Sequence, residues 1–465
     1  MYRKFNLRCI HQVLASRSVA SCLSLPQKRS AGNANSRKGA SVSGNIVDLE
    51  EFGPVFTENP YPIYRELRAR GPVHRVRLPG GLEAWLVVSY EEARAALGDA
   101  RLRKDWSFAA PELRRMRTGS EENTTQLFGR SMLSADPPDH SRLRKLVSKA
   151  FTPRRIEALR PRIEELTANL VGALPGGGRA DVMEALAYPL PIAVICEILG
   201  VPALDQDRFQ EASNKLISSD APTPDYFESA TRLNAYLDEL VAEKRRAPGD
   251  DVLSALVHVT DEDGGRLSDE ELRGTAFVLL FAGHETTVNL IGNATLALLT
   301  HPEQLAAVRE DWSLLDGAIE ETLRWEGPVE ATTWRFASED LTIGDTLIPG
   351  DGDIVLISLV SGNRDEGVYE DPESFDIRRR TGGHLAFGHG IHYCLGAALA
   401  RMEARIALRA LFEGFPRMTL GTPVDELRWR PGMPMRGLLT LPVDLGGPAG
   451  TPLYGGREVP AAAAA

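Results

Sequence analysis

Cysteine is scarce: Cys9, Cys22, Cys196 and Cys394 are all that the 465 residues contain. No two stand as Cys-x-x-Cys, and the density is far below that of a disulfide-stapled secreted domain, so a reducing compartment is expected. Long apolar runs are missing too. The longest, Phe277 to Gly283, falls well short of the roughly 20 residues that span a bilayer, so no membrane span is expected. Acidic residues are absent from residues 1–47, which carry eight Lys or Arg. That segment has the composition of an organelle transit peptide; an unfolded extension or a misassigned start accounts for it equally well. Removing its +8 from the net charge of −11 leaves −19 for residues 48–465. An acidic body excludes nucleic acid as a general partner, because phosphate neutralisation needs a broad basic face. Finally, no Gly-x-Gly-x-x-Gly follows a strand-like run, so the chain brings no dinucleotide site of its own.

What is present reads as an ordinary soluble enzyme, 43% hydrophobic and 25% charged. We expect a basic extension over 1–47, one continuous domain over 48–443 and a flexible tail over 444–465. Val73 to Leu78, Glu83 to Val88 and Leu347 to Ser358 concentrate β-formers between Gly and Pro, and are expected to be strands. Nearly everything else has helical patterning. The clearest helix starts at Ser268, where Glu271 completes a capping box, and meets no proline until His301-Pro302. Its middle, Gly283-His284-Glu285-Thr286-Thr287, interrupts an apolar face with polar groups. Such groups need partners or a task; threonine hydroxyls bonded back to the preceding turn would be one answer.

Near the C-terminus glycines crowd around one cysteine in Phe387-Gly388-His389-Gly390-Ile391-His392-Tyr393-Cys394-Leu395-Gly396. The two glycines before Cys394 permit a tight turn, and Gly396 leaves room for a flat ligand. A helical pattern from Ala397 to Leu411 places the thiol at a helix N-terminus, where a thiolate, the metal-binding form, is favoured. The run resembles the haem-binding loop of the cytochrome P-450 superfamily, Phe-x-x-Gly-x-x-x-Cys-x-Gly, with Phe387, Gly390, Cys394 and Gly396 at its specified positions. Three further motifs stand in the family's order. Ala282 to Thr287 resembles the oxygen-activating helix motif, with Glu285 and Thr286 as its acid and alcohol. Glu321-Thr322-Leu323-Arg324 resembles Glu-x-x-Arg, with Arg379, or alternatively Arg378, as the later arginine of the same structural network. Asp136 to Arg144 resembles the helix whose His and Arg, here His140 and Arg144, hold a haem propionate; Arg335 and His392 resemble two further propionate contacts.

The resemblance covers residues 48–443, includes the stretch Asn59-Pro60-Tyr61-Pro62, and is nearest to soluble bacterial members that hydroxylate polyketide macrolides. It implies a mainly α fold with small β-sheets, a single large domain of the cytochrome P-450 fold. It implies haem b on Cys394, an axial thiolate that favours O–O cleavage, and a proton relay through Thr286 supplied from the Glu285 side. Electrons would come from NAD(P)H through a separate ferredoxin or flavodoxin with its reductase, to a monomeric cytoplasmic enzyme, or a mitochondrial one if residues 1–47 are a transit peptide. The basic segment from His140 to Ile156, with Arg142, Arg144, Lys145, Lys149, Arg154 and Arg155, would steer that acidic partner. The product would be a hydroxylated or epoxidised hydrophobic small molecule. Its contacts are expected from Leu102 to Leu127, Leu280, Ala282, Val329 to Trp334 and Met433 to Met435, with Arg114, Arg115 and Arg117 suited to an anionic group. Two rival readings are a peroxygenase without a redox partner and a non-catalytic haem or metal sensor, the latter with His384, His389, His392 and Cys394 as zinc ligands.

Overall fold

A long central helix organises the molecule because nearly every face of it is apolar. The computed structural model describes residues 46–118, 130–202, 224–260 and 264–447. The elements that matter for the site are the helices α1 (Tyr61–Arg70), α2 (Tyr90–Gly98), α3 (Asp139–Ala150), α4 (Pro189–Leu199), α5 (Asp269–Thr300), α6 (Leu315–Trp325) and α7 (Ala397–Gly414). The central helix, α5, runs for the 32 residues that its start and stop signals predict. Ser268 Oγ accepts the Glu271 amide proton at 3.2 Å, and a Glu271 carboxylate oxygen accepts from the Ser268 amide at 2.9 Å. Glu271 also forms an ion pair with Arg142 of α3. Residues on all sides of α5 are buried, from Leu272 and Ala276 to Leu290, Ala294 and Leu298, which makes it a core helix and not an amphipathic one. It packs against α4, α6 and α7.

The strands among the described residues fall into three sheets. A six-stranded mixed sheet joins, in spatial order, Val47–Asp48, Val73–Arg77, Glu83–Val87, Ile354–Ile357, Arg335–Ala337 and Leu102–Arg103. The two early strands appear where the alternation predicts them, in antiparallel register from Val73 opposite Val87 to Arg77 opposite Glu83. The run Leu347 to Ser358 is not one strand. Its ends belong to different sheets, Thr346–Ile348 and Ile354–Ile357, because Pro349 and Gly352, the latter at φ +81°, turn the chain between them. Val47 pairs with Val76 and is buried, so the fold begins at least one residue before the expected boundary. At the other end Pro442–Asp444 pairs with Arg179–Asp181 and Leu445 is buried, so part of the expected tail belongs to the core. No helix among the described residues is long and apolar enough to cross a membrane.

Candidate active site

Between α5 and the loop before α7 lies a cavity whose free space, mouth included, is about 1540 Å³. The loop is shaped by its glycines: Gly388 and Gly390 both sit at φ +73°, where an L side chain is strained. A Cβ on Gly390 would also come within 3.2 Å of Gly98 Cα at the end of α2. The Cys394 amide donates to Phe387 O at 2.9 Å, closing the turn, and the Arg401 guanidinium lies 4.4 Å over the Phe387 ring. Phe387, Cys394 and Gly396 line the cavity. The Cys394 sulfur is open to the cavity yet otherwise enclosed by protein. Enclosure raises its thiol pKa above the usual value, while the amides of Gly396 and Ala397 and the charges of Arg144 and Arg401 pull it back. The expected help from the helix N-terminus is therefore real but outweighed, and a bound metal cation is what would make the thiolate dominant.

From the opposite wall α5 presents Val278, Leu279, Ala282, Gly283, Thr286 and Leu290, one stripe at helical spacing. Leu280, expected among them, lies off that stripe and is buried in the core. Gly283 lets α4 approach: a Cβ there would lie 2.6 Å from Ile195 Cδ1, and Ile195 and Ile198 of α4 line the cavity as the sequence did not suggest. Thr286 Oγ1 donates to Ala282 O at 2.7 Å and Thr287 Oγ1 to Gly283 O at 3.0 Å, so the back-bonding foreseen for these hydroxyls exists. Since a hydroxyl that donates once still accepts twice, Thr286 keeps its lone pairs for the cavity. Glu285 does not line the cavity. It is buried and ion-paired with Arg430 at 3.0 Å, and its neighbour His284, pushed down to about 4 chiefly by burial, lies 3.2 Å from Tyr188 O.

A third wall is cationic. His140, Arg144, Arg335 and His392 all line the cavity, as does Lys104, which the sequence placed only within the substrate-contact stretch Leu102 to Leu127. Burial pushes Arg335 down to about 10 and Lys104 well below its usual range. Burial, reinforced by His140, Arg335, Lys104 and Arg144, pushes His392 down to about 2. The His140 and His392 rings are 4.3 Å apart, and both His140 nitrogens and Arg335 Nε are buried without a partner. The nearest carboxylates are Asp136, already accepting the amides of Lys104 and Asp105, and Asp99, chelated by Arg101. Buried cations and unpartnered donors in this ratio call for an anionic ligand. A flat dianion such as haem, iron toward Cys394 and propionates toward this wall, fits the donor set.

Behind the loop, Glu321 and Arg324 are fully buried and doubly bonded at 2.7 and 2.8 Å. Arg379 Nε donates to Glu321 at 3.1 Å, which decides between the two arginines; the Arg378 side chain is not part of the network. Arg324 also donates to the carbonyls of Asn363, Pro372 and Ser374, so the triad fastens α6 to the segment leading into the cysteine loop. The basic segment from His140 to Ile156 is largely engaged within the protein: Arg142 on Glu271, Lys149 on Thr260 O, Arg155 on Asp251 O and Arg144 in the cavity. Arg115 pairs with Glu112; the side chain of Arg117 and all of residues 119–129 lie outside the described residues. His384 bonds Glu320 at 3.0 Å, and among the described residues no three His, Cys, Asp or Glu converge as a metal site, so the zinc reading has no geometry behind it.

One cavity-lining carboxyl was not anticipated. Glu403 of α7 is 2% exposed, has no partner at Oε2, and burial alone raises its pKa well above the ordinary carboxyl range. A carboxyl that ionises less readily folded than unfolded supports stability only below its unfolded pKa, and that support is lost as pH rises toward the folded value. Glu403→Gln should therefore raise the melting temperature, by more at about pH 8 than at about pH 5. A shift independent of pH would mean that Glu403 is paired in solution.

A cytochrome P450 family model matches residues 38–432. The chain is 50% identical over 409 residues to the cytochrome P450 monooxygenase PikC of Streptomyces venezuelae, covering 88% of this chain and 96% of that one. It is 46% identical to the 6-deoxyerythronolide B hydroxylase of Saccharopolyspora erythraea, covering 86% and 99%. The solved structure of the tirandamycin C-bound monooxygenase TamI superposes with a TM-score of 0.78 at 46% identity, covering 86% of this chain and all of that one.

Proposed function

The chain belongs to the cytochrome P450 family and is a haem-dependent monooxygenase, and from that premise we propose which of its residues do the work and on what substrate. Haem, when bound, would use dioxygen, two electrons and two protons to insert one oxygen atom into a hydrophobic molecule and release the other as water. Cys394 would hold its iron through the thiolate. Lys104, His140, Arg144, Arg335 and His392 would receive the propionates, whose negative charge would favour the protonated, paired forms of these basic groups. The observation that carries this assignment is that Cys394, Thr286 and the cationic wall all face one cavity.

Thr286 holds the proton for oxygen activation. With its own hydrogen committed to Ala282 O, it acts as an acceptor that orients a water molecule. That water's proton would be replenished by Glu285 once its carboxylate has turned away from Arg430 and taken up a proton from solvent. Leu290, Val329, Ile195 and Phe151 keep bulk water out. The acid and alcohol in sequence favour the monooxygenase over the peroxygenase reading. Electrons come from NAD(P)H through a separate ferredoxin or flavodoxin and its reductase.

The substrate is a polyketide or macrolide; 6-deoxyerythronolide B and tirandamycin C are the compounds that the names of two of the relatives above carry. Beside the reaction cavity lies a second chamber lined by Leu78, Leu82, Trp106, Trp334, Met433 and Pro434, sharing Lys104, Leu133, Thr332 and Thr333 with it, so an elongated, largely apolar molecule has somewhere to extend. Titrating the holoenzyme with 6-deoxyerythronolide B, tirandamycin C and myristic acid, and reading the haem spin-state band, tests the class. At least one polyketide should bind about tenfold or more tighter than the fatty acid. Preference for the fatty acid would overturn it.

A further inference from the structure

The stretch Asn59-Pro60-Tyr61-Pro62 opens α1, which touches neither chamber, yet this helix presents two tyrosines three residues apart, on one face. Tyr61 Oη donates to Glu326 at 2.5 Å, and Tyr64 Oη donates to Glu330 at 2.7 Å while lying 3.9 Å from Met433 Sδ. Tyr64 is fully buried and Glu330 is 5% exposed. Glu330 sits at a bend between two bridged residues, Val329 and Ala331; its neighbours Val329, Thr332 and Thr333 line the reaction cavity, and Met433 and Pro434 line the second chamber.

The backbone of this segment is held along both edges. The Glu330 amide donates to Pro434 O at 2.7 Å, the Leu359 amide donates to Glu330 O at 2.9 Å, and Val329 bridges Met435. What fixes its depth, toward or away from the cavity, is a side chain. Val329 lines the cavity, whereas the Glu330 side chain is held by Tyr64 away from it, so anchoring Glu330 at the back sets how far Val329 projects at the front. Tyr64 is that anchor, and through the Met433 sulfur it reaches the second segment as well. Burial pushes the Glu330 carboxyl up to about 7 and the Tyr64 hydrogen bond opposes it, so the bond is strongest with the carboxylate charged.

We propose that Tyr64 and Glu330 are positioning residues that limit the width of the reaction cavity, selecting ligands by size without touching them. The inference rests on the reading of that cavity as the haem and substrate site. Without the Tyr64 hydroxyl, Val329 and Met433 would yield to a ligand that presses on them, at no gain to one that does not.

The probes are two azoles, narrow 4-phenylimidazole and bulky clotrimazole, whose nitrogen binds haem iron and whose affinities are read from the absorbance of the holoenzyme. In Tyr64→Phe the narrow azole should bind as in the parent. Clotrimazole should bind about tenfold tighter, the scale of one lost buried hydrogen bond. Amide exchange at Glu330 and Arg436 should quicken, while that at Ala404 in α7 stays constant. Glu330→Gln, whose amide oxygen still accepts the tyrosine proton, should keep the parent's ratio of affinities. Equal changes for both azoles, unchanged exchange in Tyr64→Phe, or a Gln variant that behaves like the Phe variant would each overturn the proposal. Absence of any azole spectrum in the parent would instead defeat the haem reading, and the exchange measurement would still decide whether the anchor exists.

Discussion

Cys394→Ser should yield a folded protein that has lost the thiolate-type carbonyl band after reduction under carbon monoxide and turns over no substrate. A serine hydroxyl is neutral at working pH and a poor ligand for iron, whereas the thiolate pushes electron density toward bound oxygen. The fold should survive because the loop is shaped by its backbone: the Cys394 amide on Phe387 O, the positive φ of Gly388 and Gly390, and the Arg401–Phe387 stack do not involve the sulfur. Circular dichroism and melting in the absence of haem should therefore match the parent. A retained thiolate-type band would remove Cys394 from the iron, and Cys196 would not replace it, being buried in the helical core with its pKa pushed up to about 12 by burial.

For Thr286→Ala the expected loss is in coupling, not in binding. NAD(P)H consumption should continue near the parent rate, while product per electron pair falls and hydrogen peroxide appears in its place. Loss of the acceptor that orients the proton-donating water slows the step it serves by about 10²–10⁴-fold, less whatever a freely placed water restores. The bond from Thr286 to Ala282 O raises a competing account, in which the hydroxyl merely trims the helix. That account forecasts a small change in melting temperature and none in coupling. Thr286→Ser separates the two, since serine keeps a hydroxyl on the cavity stripe and should keep most of the coupling. Equal product yield from parent and alanine variant would take Thr286 out of the reaction.

Local signals were readable where chemistry is carried by contiguous residues. The capping box at Ser268, the cysteine loop and the Glu321–Arg324 spacing each lie within a few residues, and each appears in the structure as read. Even Arg379 could be narrowed to one of two neighbours, and only the fold decided, by bringing its guanidinium to a glutamate 58 positions earlier. Ile195, Phe151 and Arg430 went unnoticed because nothing in their own neighbourhoods marks them. They matter only through what lies across the cavity. Glu403 is the sharper omission, since a glutamate in an Ala- and Arg-rich helix reads as solvated until the packing of α7 encloses it. The misplacement of Leu280 was avoidable: counting helical turns from Thr286 gives 282, 283, 279 and 290, and leaves 280 outside. The short strands Leu102–Arg103 and Arg179–Asp181 have too few residues to show any alternation.

The tie between Arg142 and Glu271 has a bearing on how this protein can vary. It joins the first turn of α5 to α3, the helix that carries His140 and Arg144, and so fixes the rotational phase of α5 at one end. Each residue along an α-helix advances that phase by about 100°. A single insertion or deletion between Glu271 and Thr286 would swing the threonine off the cavity and bring a neighbour round in its place. Substitutions in that stretch alter a side chain, but a change in count reassigns every side chain beyond it. Descendants of this sequence are therefore held there more strictly in length than in letter.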